Sequence, residues 1–441
     1  MAQAKKTSAP VKGASQGIRR VAVIGGNRIP FARSNTTYSY ASNQDMLTAA
    51  LNGLINRYDL QGKKIGEVVA GSVIKHSRDF NLARECVLST ALDPKTPATD
   101  IQQACGTGLQ ACMQVANKIA LGHIDCGIAG GSDTTSDAPI GVSEGLRKIL
   151  LDVNRAKTTG QRLKLLSKIR PKHLAPLTPR NGEPRTNMSM GEHQEITVKK
   201  WGITREEQDQ IAFNSHTNLL AAYERGFFDD LVTPFQGLEK DNLARVPNLD
   251  KMATLKPAFD KKSGNGTLTA ANSSALTDGA SCVLLASEEW AKENNLPVRA
   301  YLSFYETAAV DFVGKDAEGL LMAPAYAVSN MLKRADLTLQ DFDYYEIHEA
   351  FAGVVASTLK AWEDETFCKE KLGRDAAMGS IDRSKLNVNG SSIATGHPFA
   401  ATGGRLVSTL AKMLEEKGEG RGLISICAAG GQGVVAILEA K

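Results

Sequence analysis

Short apolar segments alternate with a helical pattern in the first third of the chain. The segments 20–26, 68–74 and 126–131 are apolar runs of strand length, and a further strand is expected through 99–101 toward Cys105. Residues 108–116 form a helix pattern rich in small side chains. Strands that are apolar along their whole length and separated by helices are typical of a sheet covered on both faces. The pattern therefore predicts an α/β sheet.

This alternation stops near residue 137 and resumes near residue 264. The intervening segment is polar, basic and rich in turns. Beyond it, the second half repeats the order of the first. The predicted strand 343–347 occupies the position in the second half that 67–71 occupies in the first. His397 and the small-residue helix that follows it likewise match Cys105 and its helix. We predict a duplicated α/β unit with a large insertion.

Length and composition agree with a duplicated fold. The chain has 441 residues, of which 42% are hydrophobic and 23% are charged. A single core stops growing near ~250–300 residues, so two or three packed cores are expected. The apolar content excludes a wholly disordered chain. No apolar run reaches the ~20 residues that a membrane-spanning helix needs.

Charge is nearly balanced overall but is concentrated in one segment. The 52 basic and 48 acidic residues give a net charge of +4, which does not call for a nucleic-acid partner. Residues 147–180 hold ten Lys or Arg and one acid, Asp152, so this segment carries +9 and leaves −5 for the rest. Residues 1–18 are basic and hold no acid. We interpret them as a flexible basic tail, with a transit peptide as the alternative.

Seven cysteines raise the question of which thiol does chemistry. Their number is odd and no two form a Cys-x-x-Cys pair, which argues against a disulfide framework or a zinc site. Cys105 differs from the others because it lies at a turn from a strand into a helix, between small residues. Helix N-termini carry positive potential, so we expect a lowered thiol pKa and a nucleophile at this position.

Three further residues lie at matching strand ends of the two halves. His397 precedes Pro398 in a turn rich in small residues and is a candidate base for Cys105, although a surface turn histidine fits too. His348 lies where a strand is followed by a helix. It is a candidate hydrogen-bond donor to an oxyanion, with a helix cap as the alternative. Cys427 ends a strand beside glycine-rich backbone and is placed to act as an acid or base.

Taken together, these motifs resemble the thiolase family, whose members transfer acyl groups to and from coenzyme A. The resemblance covers about residues 18–441. Its six blocks are Cys105-Gly-Thr-Gly-Leu-Gln-Ala, Met190-Gly-Glu, Gly266-Thr-Leu-Thr-Ala-Ala-Asn-Ser-Ser, His348-Glu-Ala-Phe, Gly396-His-Pro and Cys427-Ala-Ala-Gly-Gly.

The resemblance implies a duplicated, five-layered αβαβα core with an inserted loop domain. The boundaries we expect are a tail at 1–18, an N-terminal domain at 19–138 completed by 265–292, a loop domain at 139–264 and a C-terminal domain at 293–441.

The resemblance also implies a role for each candidate residue. Cys105 is then the acylated nucleophile, His397 its base, Cys427 the group that moves a proton at the α-carbon, and His348 an oxyanion donor for the thioester enolate. The backbone N–H groups of Cys105 and Ala429 form a second oxyanion hole. Positions that line the coenzyme A and acyl channel correspond to Met190, Ser274 and Phe351.

Two departures from the common thiolase pattern matter. Many thiolases have Asn in place of His348, so a water-mediated oxyanion contact cannot be carried over. The His-Glu-Ala-Phe block, together with Phe399 after Gly-His-Pro, resembles the β-subunit of fatty-acid oxidation complexes. The usual glycine after the channel serine is Ala275, which narrows the site slightly.

The predicted function is thiolytic cleavage of 3-oxoacyl-CoA to acetyl-CoA and a shortened acyl-CoA, with the reverse Claisen condensation, in fatty-acid β-oxidation. An acetyl-CoA acetyltransferase specific for acetoacetyl-CoA is the alternative. A decarboxylating ketoacyl synthase is disfavoured by Cys427, because it needs no second cysteine. A nucleotide-binding module is disfavoured because no G-x-G-x-x-G follows Gly26.

The same resemblance sets expectations for ligands, partners and location. Coenzyme A and acetyl-CoA enter as substrates, with no cofactor, no metal and no nucleic acid. We expect a homodimer or homotetramer in the cytoplasm, or in mitochondria if the tail is a transit peptide. Segment 147–180 has two open interpretations: a solvated face that meets the phosphates of coenzyme A, or a surface that docks to a membrane or to the α-subunit of a β-oxidation complex.

Overall fold

The computed structural model describes residues 17–440, so the predicted tail lies almost entirely outside the described residues. Ten strands are present in this part of the chain: β1 (Val21–Arg28), β2 (Ala32–Arg33), β3 (Val68–Gly71), β4 (Ala98–Ile101), β5 (Cys126–Asp133), β6 (Thr277–Ser287), β7 (Ala300–Ala309), β8 (Tyr344–Ile347), β9 (Gly420–Ala428) and β10 (Gln432–Ala440).

Fourteen α-helices accompany these strands in the described residues. They are α1 (Asn43–Arg57), α2 (Leu82–Leu88), α3 (Thr107–Ala120), α4 (Glu144–Arg155), α5 (Thr159–Leu166), α6 (Met190–Trp201), α7 (Arg205–Glu224), α8 (Leu249–Ala253), α9 (Glu288–Glu293), α10 (Ala323–Ala335), α11 (Ala352–Glu363), α12 (Glu365–Glu370), α13 (Ser392–Thr395) and α14 (Thr402–Lys417). Short 3₁₀ helices span Ser77–Asp79, Pro171–Leu174, Arg383–Lys385 and Phe399–Ala401.

Strand pairing shows the predicted duplication directly. The order is β4-β3-β5-β6-β1-β7-β10-β9-β8, with β2 paired to β6. In the first half, β3 is parallel to β5, and β6 is antiparallel to both β5 and β1. In the second half, β8 is parallel to β9, and β10 is antiparallel to both β9 and β7. The two halves therefore share one topology over four strands each and meet where β1 pairs with β7. The edge strand β4 of the first half is represented in the second half only by the bridge between Tyr345 and Leu386.

Three apolar cores between the elements give the five layers. One core joins α3 and α14 to the inner faces of both half-sheets. A second packs α1 and α2 on the outer face of the first half-sheet, and a third packs α10, α11 and α12 on that of the second. The αβαβα fold class is confirmed. Buried apolar faces on both sides also explain the continuous apolar strands.

Helices α3 and α14 cross so closely that glycine is needed at the crossing. A Cβ placed on Gly403 would lie 2.1 Å from the backbone nitrogen of Leu109. A Cβ on Gly108 would lie 2.5 Å from the carbonyl oxygen of Ala400. Each helix begins just after a predicted catalytic residue, Cys105 or His397. The close approach of their N-terminal ends therefore brings the two motifs together.

Between β5 and β6, residues 134–276 contain helices α4–α8 and, among the described residues, no strand of the sheet. Helices α4 and α5 contribute no buried residue, whereas α6 and α7 pack against the body of the protein. The exact domain boundaries given above stay predictions. No helix within residues 17–440 is both long and apolar enough to cross a membrane.

Candidate active site

Cys105 lies between β4 and α3 on a strained turn. Its neighbour Ala104 has a φ of +44°, a left-handed conformation that costs a residue with a Cβ about 1–3 kcal/mol. The backbone N–H of Ala429, from the second half of the fold, lies near enough to the thiol to lower its pKa. The strained turn thus presents Cys105 to groups of the opposite half.

The expected lowering of the Cys105 pKa is wrong. Burial raises the pKa of this thiol to about 12, the charge of Asp133 adds to the rise, and the N–H of Ala429 opposes it only in part. A helix N-terminus contributes about 0.3–1 kcal/mol, less than the desolvation of a buried thiolate. Cys105 is therefore a neutral thiol in the resting protein and needs a base.

His397 is that base by position. Its Nε2 lies 3.1 Å from the Sγ of Cys105, and its Nδ1 lies 2.6 Å from the Oγ1 of Thr402 at the start of α14. Gly396, with a φ of +106°, turns the chain so that the backbone N–H of His397 donates to the Oγ1 of Thr277. Burial and the charge of Arg405 lower the pKa of His397 to about 3. The imidazole is therefore neutral and free to accept the thiol proton.

His348 faces the same point from the end of β8. Its ring centroid lies 4.1 Å from that of His397, and its side chain is fully buried. Its Nδ1 contacts the Oγ of Ser392 at 2.7 Å, whereas its Nε2 has no hydrogen-bond partner among the described residues. The Cys105 sulfur and one ring nitrogen from each histidine lie within 4.8 Å of one another. One small group, such as a thioester oxygen, can therefore contact all three.

Cys427 is the second thiol of the site. It is buried at the end of β9, and burial together with the nearby Cys105 raises its pKa well above the ordinary value. A thiol that holds its proton is suited to donating it to a carbanion. The turn that follows bends through Gly430 and Gly431, both with positive φ, and the N–H of Gly430 donates to Glu183 at 2.7 Å. The inserted segment therefore anchors the turn that carries the Ala429 N–H.

A cleft of about 870 Å³ opens beside these residues. Its wall at 273–276 includes Ser274, which donates its hydroxyl hydrogen to the carbonyl oxygen of Ala350 at 2.8 Å. The backbone of Leu276, in the same wall, is bridged to that of His397. Three basic side chains line the cleft and suit an anionic ligand; they are Arg33, Arg245 and Lys251.

The other two predicted channel residues lie next to this cleft without lining it. Phe351 is bridged to Ser273 and packs edge-to-face on Phe259, a lining residue, with ring centroids 5.6 Å apart. Met190 packs against the apolar cluster that holds Phe351 and Cys427. Both therefore belong to the apolar packing that links Phe259 of the cleft wall to Cys427.

A buried histidine, near the cleft residue Arg245, makes stability depend on pH. His216 on α7 is 1% exposed, and neither ring nitrogen has a partner in the described part of the chain. Burial and the charge of Arg245 lower its pKa to about 4. As pH falls below 6.5, the unfolded chain takes up a proton at this residue and the folded protein does not, so stability is lost.

We expect His216 to account for about 2–3 kcal/mol of the stability lost between pH 6.5 and pH 4.5. In His216→Gln, the free energy of unfolding from urea titrations should fall less steeply over this range. His123→Gln, at an exposed histidine, is the matched control and should keep the wild-type slope. A His216→Gln slope equal to that of the wild type would contradict the prediction.

Sequence reasoning missed the residues that hold the predicted ones in place. Thr402 and Ser392 contact the two histidines, and Arg405 contacts Ser392. Asp133 accepts hydrogen bonds from backbone N–H groups of the loop after β3 and from that of Ala400 beside the His397 turn. The one available signal was weak: Arg405 is a charged residue directly before the apolar pair Leu406 and Val407 in α14.

Comparison with known proteins agrees with this geometry. The chain matches the family model of the thiolase N-terminal domain over residues 21–289 and that of the thiolase C-terminal domain over residues 300–440. It is 42% identical to a 3-ketoacyl-CoA thiolase of Pectobacterium carotovorum, over 95% of this chain and 96% of that one. A 3-ketoacyl-CoA thiolase of Yersinia pestis is 40% identical, over 96% and 97% of the two chains.

Solved structures give the same result. An acetyl-CoA acetyltransferase of Bacillus anthracis superposes with a TM-score of 0.80 at 29% identity, covering 97% of this chain and all of that one. Human mitochondrial 3-ketoacyl-CoA thiolase in complex with CoA superposes with a TM-score of 0.78 at 27% identity, covering 96% and 98% of the two chains. With both family models matched in order and a Cys–His pair in contact, the chain belongs to the thiolase family of acyltransferases.

Proposed function

We propose that the protein cleaves 3-oxoacyl-CoA thioesters with coenzyme A, giving acetyl-CoA and an acyl-CoA two carbons shorter, in fatty-acid β-oxidation. The observation that carries the proposal is the 3.1 Å contact of Cys105 with His397, next to a second buried thiol. The relatives at 40–42% identity are named 3-ketoacyl-CoA thiolases, which favours this function over an acetyltransferase specific for acetoacetyl-CoA.

The reaction begins when His397 accepts the proton of Cys105 and the sulfur attacks the 3-keto carbon. The Cα–Cβ bond breaks, leaving an acyl group on Cys105 and an acetyl-CoA enolate. His348 and the protonated His397 hold the enolate oxygen, and Cys427 protonates the carbon. Such fixed donors are needed because a thioester enolate is too basic to leave unaided.

Coenzyme A completes the cycle. Its thiol gives its proton to the Cys427 thiolate and attacks the acyl thioester. The N–H groups of Cys105 and Ala429 stabilise the oxyanion of that step. Cys105 then leaves as a thiolate and recovers its proton from His397. The cycle balances with coenzyme A as a substrate, and we propose that it uses no further cofactor and no metal.

Arg33, Arg245 and Lys251 are the groups we propose to hold the phosphates of coenzyme A. All three line the cleft that contains Ser274. No lining residue of this cleft comes from segment 147–180. This weighs against the interpretation of that segment as a phosphate-binding face.

Thiolysis of two substrates tests the proposed function. We expect coenzyme A-dependent cleavage of a long-chain 3-oxoacyl-CoA, with or without cleavage of acetoacetyl-CoA. Cleavage of acetoacetyl-CoA alone would indicate an acetyl-CoA acetyltransferase. If folded wild-type protein cleaved neither substrate, the proposal would be wrong and the synthase alternative would return.

We propose that segment 147–180 docks to an anionic membrane surface. It carries +9, and its helices α4 and α5 bury none of their residues. Large apolar side chains are exposed among the charges: Leu150, Leu151, Leu163, Leu166 and Leu174. Basic helices with an exposed apolar face are typical of elements that lie in a membrane interface.

A charge-reversal variant tests this docking. Lys164→Glu/Lys168→Glu should lose sedimentation with anionic lipid vesicles and keep short-substrate turnover, whereas the control Lys261→Glu/Lys262→Glu should keep both. If the wild-type protein does not sediment with vesicles but binds the α-subunit of a β-oxidation complex through 147–180, the partner is a protein and not a membrane. If Lys164→Glu/Lys168→Glu also lost turnover of short substrates, segment 147–180 would instead be the face that meets the phosphates of coenzyme A.

Assembly and location are also proposals. We propose a homodimer or homotetramer, which light scattering of the purified protein would test. The relatives at 40–42% identity are bacterial proteins, which favours the cytoplasm over the mitochondrial alternative.

A further inference from the structure

A chain of three buried side chains ends at His348. The Nη2 of Arg405 donates to the Oγ of Ser392 at 2.8 Å, and this oxygen lies 2.7 Å from the Nδ1 of His348. Ser392 and His348 are fully buried, and Arg405 is 3% exposed. Arg405 comes from α14 and Ser392 from α13, so two elements hold the imidazole of His348.

Counting hydrogens decides which way each bond runs. A guanidinium has donors only, so Ser392 must accept from Arg405. If Ser392 gives its own hydrogen to the Nδ1 of His348, the hydrogens of both contacts, Arg405–Ser392 and Ser392–His348, have an acceptor. If the Nδ1 carried the hydrogen, the Ser392 hydroxyl hydrogen would have no acceptor among its contacts in the structure. An unpaired buried donor is destabilising, so the first arrangement is favoured.

We propose that Ser392, held by Arg405, is a positioning residue that fixes His348 in the tautomer with its hydrogen on Nε2. This Nε2 is the buried ring nitrogen without a partner among the described residues, and one nitrogen of the same ring lies within 4.8 Å of the Cys105 sulfur and of a nitrogen of His397. The inference rests on the proposed function, in which an enolate oxygen needs a donor at that point. It explains how a histidine serves directly where many thiolases have asparagine.

The two neighbouring histidines are thereby given opposite tautomers. His397 must leave its Nε2 bare to accept the proton of Cys105, so its hydrogen lies on Nδ1 and is donated to Thr402. His348 presents Nε2–H at the same point. One ring is thus a base and the other a donor, although their centroids are 4.1 Å apart. The charge of Arg405 also lowers the pKa of both rings and helps to keep them neutral.

This assignment separates two reactions of the same site. Cleavage or formation of the carbon–carbon bond passes through the enolate and needs His348. Exchange of labelled coenzyme A into acetyl-CoA passes only through acetyl-Cys105. The oxyanion that forms when coenzyme A attacks this thioester is stabilised by the N–H groups of Cys105 and Ala429, not by His348. A residue that acts only through His348 affects the first reaction and spares the second.

The test compares Ser392→Ala with Ser391→Ala. Ser391 is the matched control, because it is equally buried and lies 3.4 Å from the same Arg405 nitrogen without a hydrogen bond to His348. In Ser392→Ala we expect kcat for thiolysis of a 3-oxoacyl-CoA to fall about 10- to 100-fold. The KM for that substrate and the exchange rate should stay within about threefold. Ser391→Ala should keep both reactions.

Two outcomes overturn the inference. Equal losses of thiolysis and exchange in folded Ser392→Ala would show a merely structural role, and unchanged thiolysis would show no role. If Ser392→Ala does not fold, Ser392→Cys applies the same test, because a thiol of similar size is a weak donor. Failure of the proposed function is seen separately, since wild-type protein would then exchange coenzyme A without cleaving any 3-oxoacyl-CoA.

Discussion

Replacing Cys105 by alanine should abolish thiolysis, with a loss of at least about 10⁴-fold in kcat, because no other thiol can carry the acyl group. His397 would keep its contact with Thr402 but have no nucleophile to activate. Turnover is measured as coenzyme A-dependent loss of a 3-oxoacyl-CoA. The intact mass after incubation with acetyl-CoA shows whether an acetyl group is attached.

Cys112→Ala is the matched control for this variant. Cys112 lies on the same helix, α3, but is fully buried in the central apolar core. We expect this variant to remain active and to be acetylated like the wild type. Acetylated Cys105→Ala, or Cys105→Ala with more than about 1% of wild-type turnover, would assign the nucleophile to another residue.

Replacing Cys427 by alanine should lower thiolysis about 10²- to 10⁴-fold, the range for loss of a positioned acid or base. The enolate would still form but would have no proton donor at its carbon. Exchange of labelled coenzyme A into acetyl-CoA does not pass through that carbanion. It should therefore retain more activity than thiolysis does, since solvent can replace Cys427 as the acceptor of the coenzyme A proton.

Cys282→Ala serves as the control, because Cys282 is fully buried in the outer core of the first half-sheet and is not part of the site. It should keep both reactions. If Cys427→Ala cleaved 3-oxoacyl-CoA at the wild-type rate, the α-carbon proton would have to be moved by another group. Ser392→Ala and Cys427→Ala then form a pair, since each is expected to affect the enolate step more than the exchange step.

Much of the fold was predictable because it depends on local pattern. Continuous apolar strands separated by helices require a sheet covered on both faces, and the repeated order of segments requires two copies of one unit. Cys105, His348 and Cys427 were found because each lies at or near the end of a strand, whereas His397 was found from its motif alone, since it follows the short helix α13 and not a strand. Such ends meet when the two halves pack.

The supporting residues were not predictable in the same way. Ser392, Thr402 and Arg405 are ordinary residues in sequence, and they matter only because α13 and α14 bring them to the rings of His348 and His397. The basic side chains of the cleft are likewise scattered along the chain. Nothing in their spacing links Arg33 to Arg245 or Lys251.

The sequence by itself determined the architecture, the family and the four reactive side chains, since these follow from periodicity and from motifs in a fixed order. Only the tertiary structure decided which of these side chains contact one another and which protonation state they have. It brings Cys105 and His397, 292 residues apart, to 3.1 Å, and it makes both neutral rather than ionised. The physical reason is desolvation. The energy of a charge depends on everything packed around it, and that environment comes from segments distant in the chain.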